Sequence, residues 1–260
     1  MMKGNWDQLR FDGAFENMPD RTRRAFWRSA LALSLGLPSL AHAASLYKRK
    51  YVVQRGDTLS HIALRFKTTV KAIKAANGLR GDLIIIGQTL VVPTRLPELK
   101  YAGNVEKATR RIKVEVDRWK WIVAHHSAVE AGNASVYDTY HRNVKRIRDG
   151  LAYHFVIGCG RDSGDGEIEI GGRWTNQLRG GHVRKTLVND TGIGICFVGN
   201  LQYRAPTRKQ LDAFHELMLL LEEFFLQKKC RFAGHKEIDL HHTVCPGRNF
   251  PLREMHLKYD

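Results

Sequence analysis

Acidic side chains are scarce in this chain. Its 260 residues hold 26 Asp and Glu against 42 Lys and Arg, a formal charge of +16. That imbalance favours an anionic partner: nucleic acid, anionic lipid or an acidic polymer such as cell wall. No nucleic-acid reading motif accompanies it, so no nucleic-acid partner is expected. Cysteine is scarce as well. Cys159, Cys196, Cys230 and Cys245 are too few for a disulfide scaffold, and no spacing identifies a pair. The apolar run from Ala30 to Leu40 is too short for an ordinary membrane span, so no stable span is expected. Apolar residues are not lacking. At 43% they suffice for a packed core, and the length suits one large or two modest domains.

The N-terminus reads as an address. A basic stretch from Arg21 precedes the apolar run, and Ala41-His42-Ala43 offers small residues where a signal peptidase reads. Thr22-Arg23-Arg24-Ala25-Phe26 resembles the twin-arginine signal, with Trp27 at a position usually aliphatic. Residues 1–43 are therefore read as an export signal, with the periplasm or cell wall as destination. An uncleaved amphipathic anchor is the alternative. No cysteine lies near the tripeptide, so no lipid anchor is expected there.

Residues 50–94 form a small module of their own. Tyr51 to Val53 reads as a strand, and Gly56-Asp57 as a turn. Thr58 or Asp57 caps a helix carrying Leu59, Ile62, Ala63 and Phe66. Thr69 caps a second helix, ended by Asn77-Gly78. Ile84 to Ile86 and Thr89 to Val92 flank a turn into a closing strand. The stretches VVQRGDTLSHIA, ANGL and IIIGQTLVVP resemble a LysM domain, strand-helix-helix-strand. The resemblance implies binding of glycans containing N-acetylglucosamine, with Gly56, Asp57, Thr58 and Ile85 at the groove. Core or turn roles are the competing reading for each of them. Residues 95–117 read as a charged linker, with Lys113 to Val116 a possible edge strand.

From residue 118 to 260, strands alternate with helices, which implies an α/β fold: a mixed central sheet flanked by helices. Trp121 to Ala124, Leu151 to Ile157 and Gly192 to Val198 read as strands. Ser135 to Arg148 reads as a helix whose apolar face is Val136, Tyr140, Val144 and Ile147. Thr207 caps a long helix to about Lys228. His125, His235 and Cys245 stand out. Two imidazoles and a thiol can give Zn²⁺ three ligands and leave the fourth tetrahedral position open, as in catalytic rather than structural sites. His126 rivals His125, because a strand buried on both sides has two apolar faces.

The motifs WIVAHHSA, GLAYHFVIG, GGHV, NDTGIGICFVGN and GHKEIDLHHTVCPGRNFP occur in that order. Together they resemble the type 2 N-acetylmuramoyl-L-alanine amidase family, which includes phage lysozyme-type amidases and peptidoglycan recognition proteins. The resemblance implies Zn²⁺ held by His125, His235 and Cys245, and hydrolysis of the amide between N-acetylmuramic acid and L-alanine. Peptidoglycan, both glycan strand and stem peptide, is then the partner of a monomeric enzyme. Tyr153 and Thr243 fall at catalytic positions of the family, and His126, His182 and Asn189 at substrate-groove positions. Cys196 stands where one branch has a catalytic glutamate, which shifts weight to Tyr153. His242 is a second candidate to protonate the leaving amine. Arg179 and Arg184 can meet peptide carboxylates, or can be plain surface charges. A non-catalytic recognition protein of the same fold is the alternative function.

Overall fold

A computed structural model describes residues 46–260. The predicted export signal at 1–43 lies outside the described residues. The chain begins with strand β1 (Leu46–Val52), then helices α1 (Leu59–Arg65) and α2 (Val70–Asn77), and strand β2 (Thr89–Arg95). β1 and β2 pair antiparallel from Leu46↔Arg95 to Val52↔Thr89, so the module's first strand starts earlier than Tyr51. Thr58, not Asp57, caps α1: its Oγ1 accepts from His61 N at 3.1 Å. Asp57 Oδ2 instead accepts from Tyr51 OH at 2.6 Å and Gln54 N at 2.7 Å, which fixes the turn. Thr69 caps α2, and Gly78 ends it in the left-handed region at φ 65°. Val53, Leu59, Ile62, Ala63, Ile73, Leu90 and Val92 form the module's own small core.

The expected linker is not one. Val105 of helix α3 (Gly103–Thr109) and its N-cap Ala102 are fully buried in the main core, with Leu96, Leu99, Tyr101, Ile112 and Val114 packed on it. The Glu216 carboxylate accepts from the N–H groups of Lys100, Tyr101 and Ala102 at 2.7–3.0 Å, satisfying three backbone donors that lead into α3. Charge along the segment suggested solvent, but its apolar positions are spaced to cover a core. Residues 113–116 form no strand.

The main sheet comprises β3 (Trp121–His126), β4 (Phe155–Ile157), β5 (Ile168–Ile170), β6 (Gly192–Phe197) and β7 (Arg231–Gly234), in the order β5-β4-β6-β3-β7. Only the β4–β5 pair is antiparallel, so the sheet is mixed. Helix α4 (Ala134–Asn143) follows β3. Helices α5 (Gly172–Thr175) and α6 (Thr186–Thr191) lie between β5 and β6. Helix α7 (Arg208–Leu219) opens with a Thr207–Gln210 capping box and runs into a π-helical stretch, Leu220–Phe225. Helices α8 (His235–Ile238) and α9 (Leu252–Tyr259) end the chain.

The two faces of this sheet differ. Ile122, Ala124, Phe155, Ile193, Ile195 and Phe197 belong to the large core with Phe214, Leu217, Met218 and Leu221 of the long helix. Fully burying each such side chain contributes about 1.5–3 kcal/mol. The other face carries Val123, His125, Gly194, Cys196 and Ala233, mostly small or polar residues. α4 also departs from expectation. It buries Tyr137 and His141 and exposes Val136, Tyr140 and Val144, because its packing partners meet the face one residue along.

Candidate metal centre

Register brings the two histidines together. β3 and β7 run parallel with Ala124 opposite Gly234, and the next residue on each chain is a histidine. The His125 and His235 rings lie 4.7 Å apart, centroid to centroid. The loop beyond α8 returns Cys245 to them. One donor atom from each of the three falls within 4.8 Å of the others, and Cys245 Sγ lies 3.7 Å from His125 Nδ1. A tetrahedral zinc with its usual bond lengths sets neighbouring N and S donors roughly 3.5 Å apart, so this spacing suits one.

The remaining ring nitrogens are already engaged. His182 Nε2 lies 3.4 Å from the Gly192 carbonyl, which can only accept. His182 Nδ1 is then an acceptor, and it lies 3.0 Å from His125 Nε2. His125 therefore carries its proton on Nε2 and turns a bare Nδ1 toward Cys245. Burial keeps both rings neutral: it holds His125 well below the usual histidine range and takes His182 down to about 3. His235 Nε2 donates to Asp239 Oδ2 at 2.9 Å, leaving its Nδ1 bare in the same way. Asp239 also accepts from Arg184 N at 2.6 Å; burial raises its carboxyl, but these two bonds outweigh that and hold it low. A carboxylate or carbonyl behind each ligating imidazole is the usual support of a metal site. Cys245 Sγ accepts from His126 N at 3.3 Å, and burial pushes its thiol up to about 12.

The structure separates His125 from His126 by face. His126 points into the large-core side, and its Nδ1 accepts from Leu201 N at 3.0 Å. It is 6% exposed. His182 and Asn189 are displaced from the expected substrate groove too. Both are buried behind His125, where Asn189 Oδ1 accepts from His182 N and Val183 N. The His182 ring lies on Gly194; a Cβ there would sit 2.7 Å from its Cγ, which is why β6 carries glycine at that point.

Tyr153 sits beside the cluster, its ring 5.1 Å from that of His125. It precedes β4 rather than lying in a longer strand. The Cys196 thiol lies near it, and burial above all keeps its hydroxyl protonated. Thr243 Oγ1 accepts from Cys245 N at 3.1 Å, so its hydroxyl fixes the turn that delivers the thiol. His242 is exposed on the same loop. A cleft of about 310 Å³ lined by Arg184, Asp239, Leu240 and His242 adjoins the cluster through Asp239. Arg179, by contrast, is paired with Asp190 at 3.0 Å. All four cysteines are free thiols.

In the small module, Gly87 N donates to Val53 O and Val53 N to Gln88 O, both at 2.9 Å. These bonds set the Gly56–Thr58 loop beside the loop of Ile85, which is 65% exposed. Gly56 adopts φ 87°, a conformation other residues resist. Leu59 is core.

An α/β domain with a His-His-Cys set at the carboxyl edge of its sheet, preceded by a strand-helix-helix-strand module, is a class shared with known proteins. Residues 115–248, just over half of the chain, match the N-acetylmuramoyl-L-alanine amidase family, and residues 51–93 match the LysM domain. The chain belongs to the N-acetylmuramoyl-L-alanine amidase family. It is 29% identical over 143 residues to peptidoglycan-recognition protein 2 of Holotrichia diomphalia, covering 50% of this chain and 69% of that one. It is 33% identical over 98 residues to peptidoglycan recognition protein 1 of Rattus norvegicus, covering 37% of this chain and 48% of the relative. Among solved structures, the endolysin N-acetylmuramoyl-L-alanine amidase LysCS of Clostridium intestinale URNW aligns at TM-score 0.46 and 28% identity, over 54% of this chain and 83% of that one.

Proposed function

We propose that this protein is a zinc-dependent peptidoglycan hydrolase that cuts the amide joining N-acetylmuramic acid to L-alanine. The observation that carries the reading is the convergence of His125, His235 and Cys245, with the second nitrogen of each imidazole held by His182 or Asp239. These three residues would hold Zn²⁺. When bound, the ion supplies Lewis acidity: it polarises a carbonyl and lowers the pKa of a water in its open position to about 7.

The protein's own groups do the rest. Tyr153, protonated and next to His125, donates to the amide oxygen as that oxygen gains negative charge. His182 and Asp239 keep the ligand rings from turning. Thr243 holds the Cys245 turn, and its hydroxyl remains able to donate to substrate. His242, exposed at the rim, is a candidate to protonate the departing amine. Arg184, at the neighbouring cleft, meets a stem-peptide carboxylate. The LysM module holds the glycan strand at Gly56, Asp57, Thr58 and Ile85. Export to the periplasm or wall, and action as a monomer, complete the reading. Among the described residues no helix is long and apolar enough to cross a membrane.

Zinc content of the purified protein, with release of free L-alanyl amino termini from peptidoglycan, tests the proposal. Stoichiometric zinc without amide cleavage would favour the recognition-protein alternative, which the names of the animal relatives support.

A further inference from the structure

The LysM module is fastened to the main domain rather than tethered beside it. β1 is paired with β2 on one edge, and its other edge meets the side chain of Gln227. Gln227 Oε1 accepts from Lys50 N at 2.9 Å, and Gln227 Nε2 donates to Lys48 O at 3.0 Å. One amide thus takes the place of a neighbouring strand. Gln227 holds φ 52°, in the left-handed region that a non-glycine residue occupies at a cost unless contacts fix it.

Other contacts surround this bond pair. Tyr47 packs edge-on against Phe224 of the π-helical stretch, with centroids 5.0 Å apart, and its hydroxyl donates to Glu106 Oε1 at 2.7 Å. The Arg110 guanidinium covers the Tyr47 ring at 4.6 Å. Arg49 pairs with Glu223. β2 then leads directly into the strap whose Leu96 and Leu99 pack on the main core. The clamp grips Tyr47 to Lys50, whereas the Gly56–Thr58 and Ile85 loops lie past the other end of β1 and stay exposed.

We infer that Gln227 is a positioning residue: it locks module and catalytic domain into one substrate-holding body that selects long glycan strands over single disaccharide-peptides. The inference rests on the amidase reading above. A module fixed to the catalytic domain presents a bound strand in few orientations, and so gives that strand an effective concentration that a short fragment cannot gain. A floppy linker would spread that gain over many orientations.

The test uses the full chain and its Q227G/R49A variant. Glycine suits φ 52°, so the change removes the polar grip of Gln227 and Arg49 on β1 without adding strain, while the Tyr47 packing stays. Turnover is measured on long peptide-bearing glycan strands and on a disaccharide-pentapeptide, with binding to peptide-free glycan strands alongside. For wild type, kcat/KM on long strands should exceed that on the fragment by about tenfold or more. In the variant this preference should collapse through a higher KM on long strands, while fragment turnover and glycan binding stay at wild-type values. The Lys50 amide should exchange faster with solvent. Q227E, which keeps the acceptor for Lys50 but loses the donor to Lys48, should fall between. A variant that is only less heat-stable, with the full preference intact, overturns the inference. A wild type that cuts both substrates without preference overturns it as well. A wild type that cuts neither overturns the amidase reading, and this inference with it.

Discussion

His182 Nδ1 lies 3.0 Å from His125 Nε2, and the far nitrogen of His182 faces the Gly192 carbonyl. A backbone oxygen thereby decides, through two imidazoles, which nitrogen of His125 is free to bind a metal. His182→Leu keeps the volume and leaves the His125 N–H without an acceptor. Zinc affinity should drop roughly 10–100-fold. Competition titration against a chelator measures it, with circular dichroism as the check on folding; wild-type affinity would exclude the relay.

On the proposed reading, Cys245 is the zinc ligand that would divide an enzyme from a binder. Cys245→Ala should abolish zinc retention and amide cleavage while leaving sedimentation with peptidoglycan intact, because the LysM core is separate from the site. Cys245→Asp, a carboxylate that also ligates zinc, should restore part of both. Loss of peptidoglycan binding in the Ala variant would contradict this division.

Tyr153→Phe removes one hydroxyl beside His125 and leaves the ring packing. The expected outcome is a fall in kcat of about a hundredfold or more, with zinc content and KM unchanged. Steady-state kinetics on a soluble muropeptide decides it. Unchanged kcat would move the donor role to Thr243 or His242.

Glu216 serves three backbone donors at the start of the strap. Glu216→Ala should lower unfolding stability by about 2 kcal/mol or more, since these N–H groups lose a charged acceptor. Denaturant unfolding gives the value. A change within a few tenths would mean that water replaces the carboxylate freely.

His256 offers a pH handle outside the His125, His235 and Cys245 cluster. Partial burial lowers its pKa, but hydrogen bonds to Asp260 and Glu237 outweigh that, so the net shift is upward. A pKa raised by folding stabilises the native state below the unfolded value of about 6.5, and that contribution fades as pH rises through the folded value. Wild type should therefore exceed His256→Gln in stability at pH 5.5, with the gap closing toward pH 8. Paired melting curves across this range check it; a gap that widens with pH would reverse the sign.

Much of this was legible in the residues. Thr58, Thr69 and Thr207 cap the helices they precede, and Gly78 ends one, because capping is a local affair of one side chain and the next turn. The module at 51–93 was readable for the same reason: its signals are turns and caps in close sequence. The strap at 95–117 was not. Its burial depends on a core built by the main sheet, α7 and the π-helical stretch, and its many charges mask the few apolar residues that cover it. Likewise, α4 shows an apolar stripe to solvent and buries Tyr137 and His141, an arrangement no spacing rule announces.

The sequence by itself determined the local pieces: a basic chain, a small capped module, an α/β domain, and the ligand-type residues His125, His235 and Cys245. The tertiary structure decided how they act together. It set His125 beside His235 and Cys245 and turned His126 away, since strand alternation points one toward the thin face and the other toward the large core. It moved His182 and Asn189 from a groove to the back of the site, and it clamped the module through Gln227. Those choices rest on strand register and on which face each layer covers, and such contacts join residues more than a hundred positions apart.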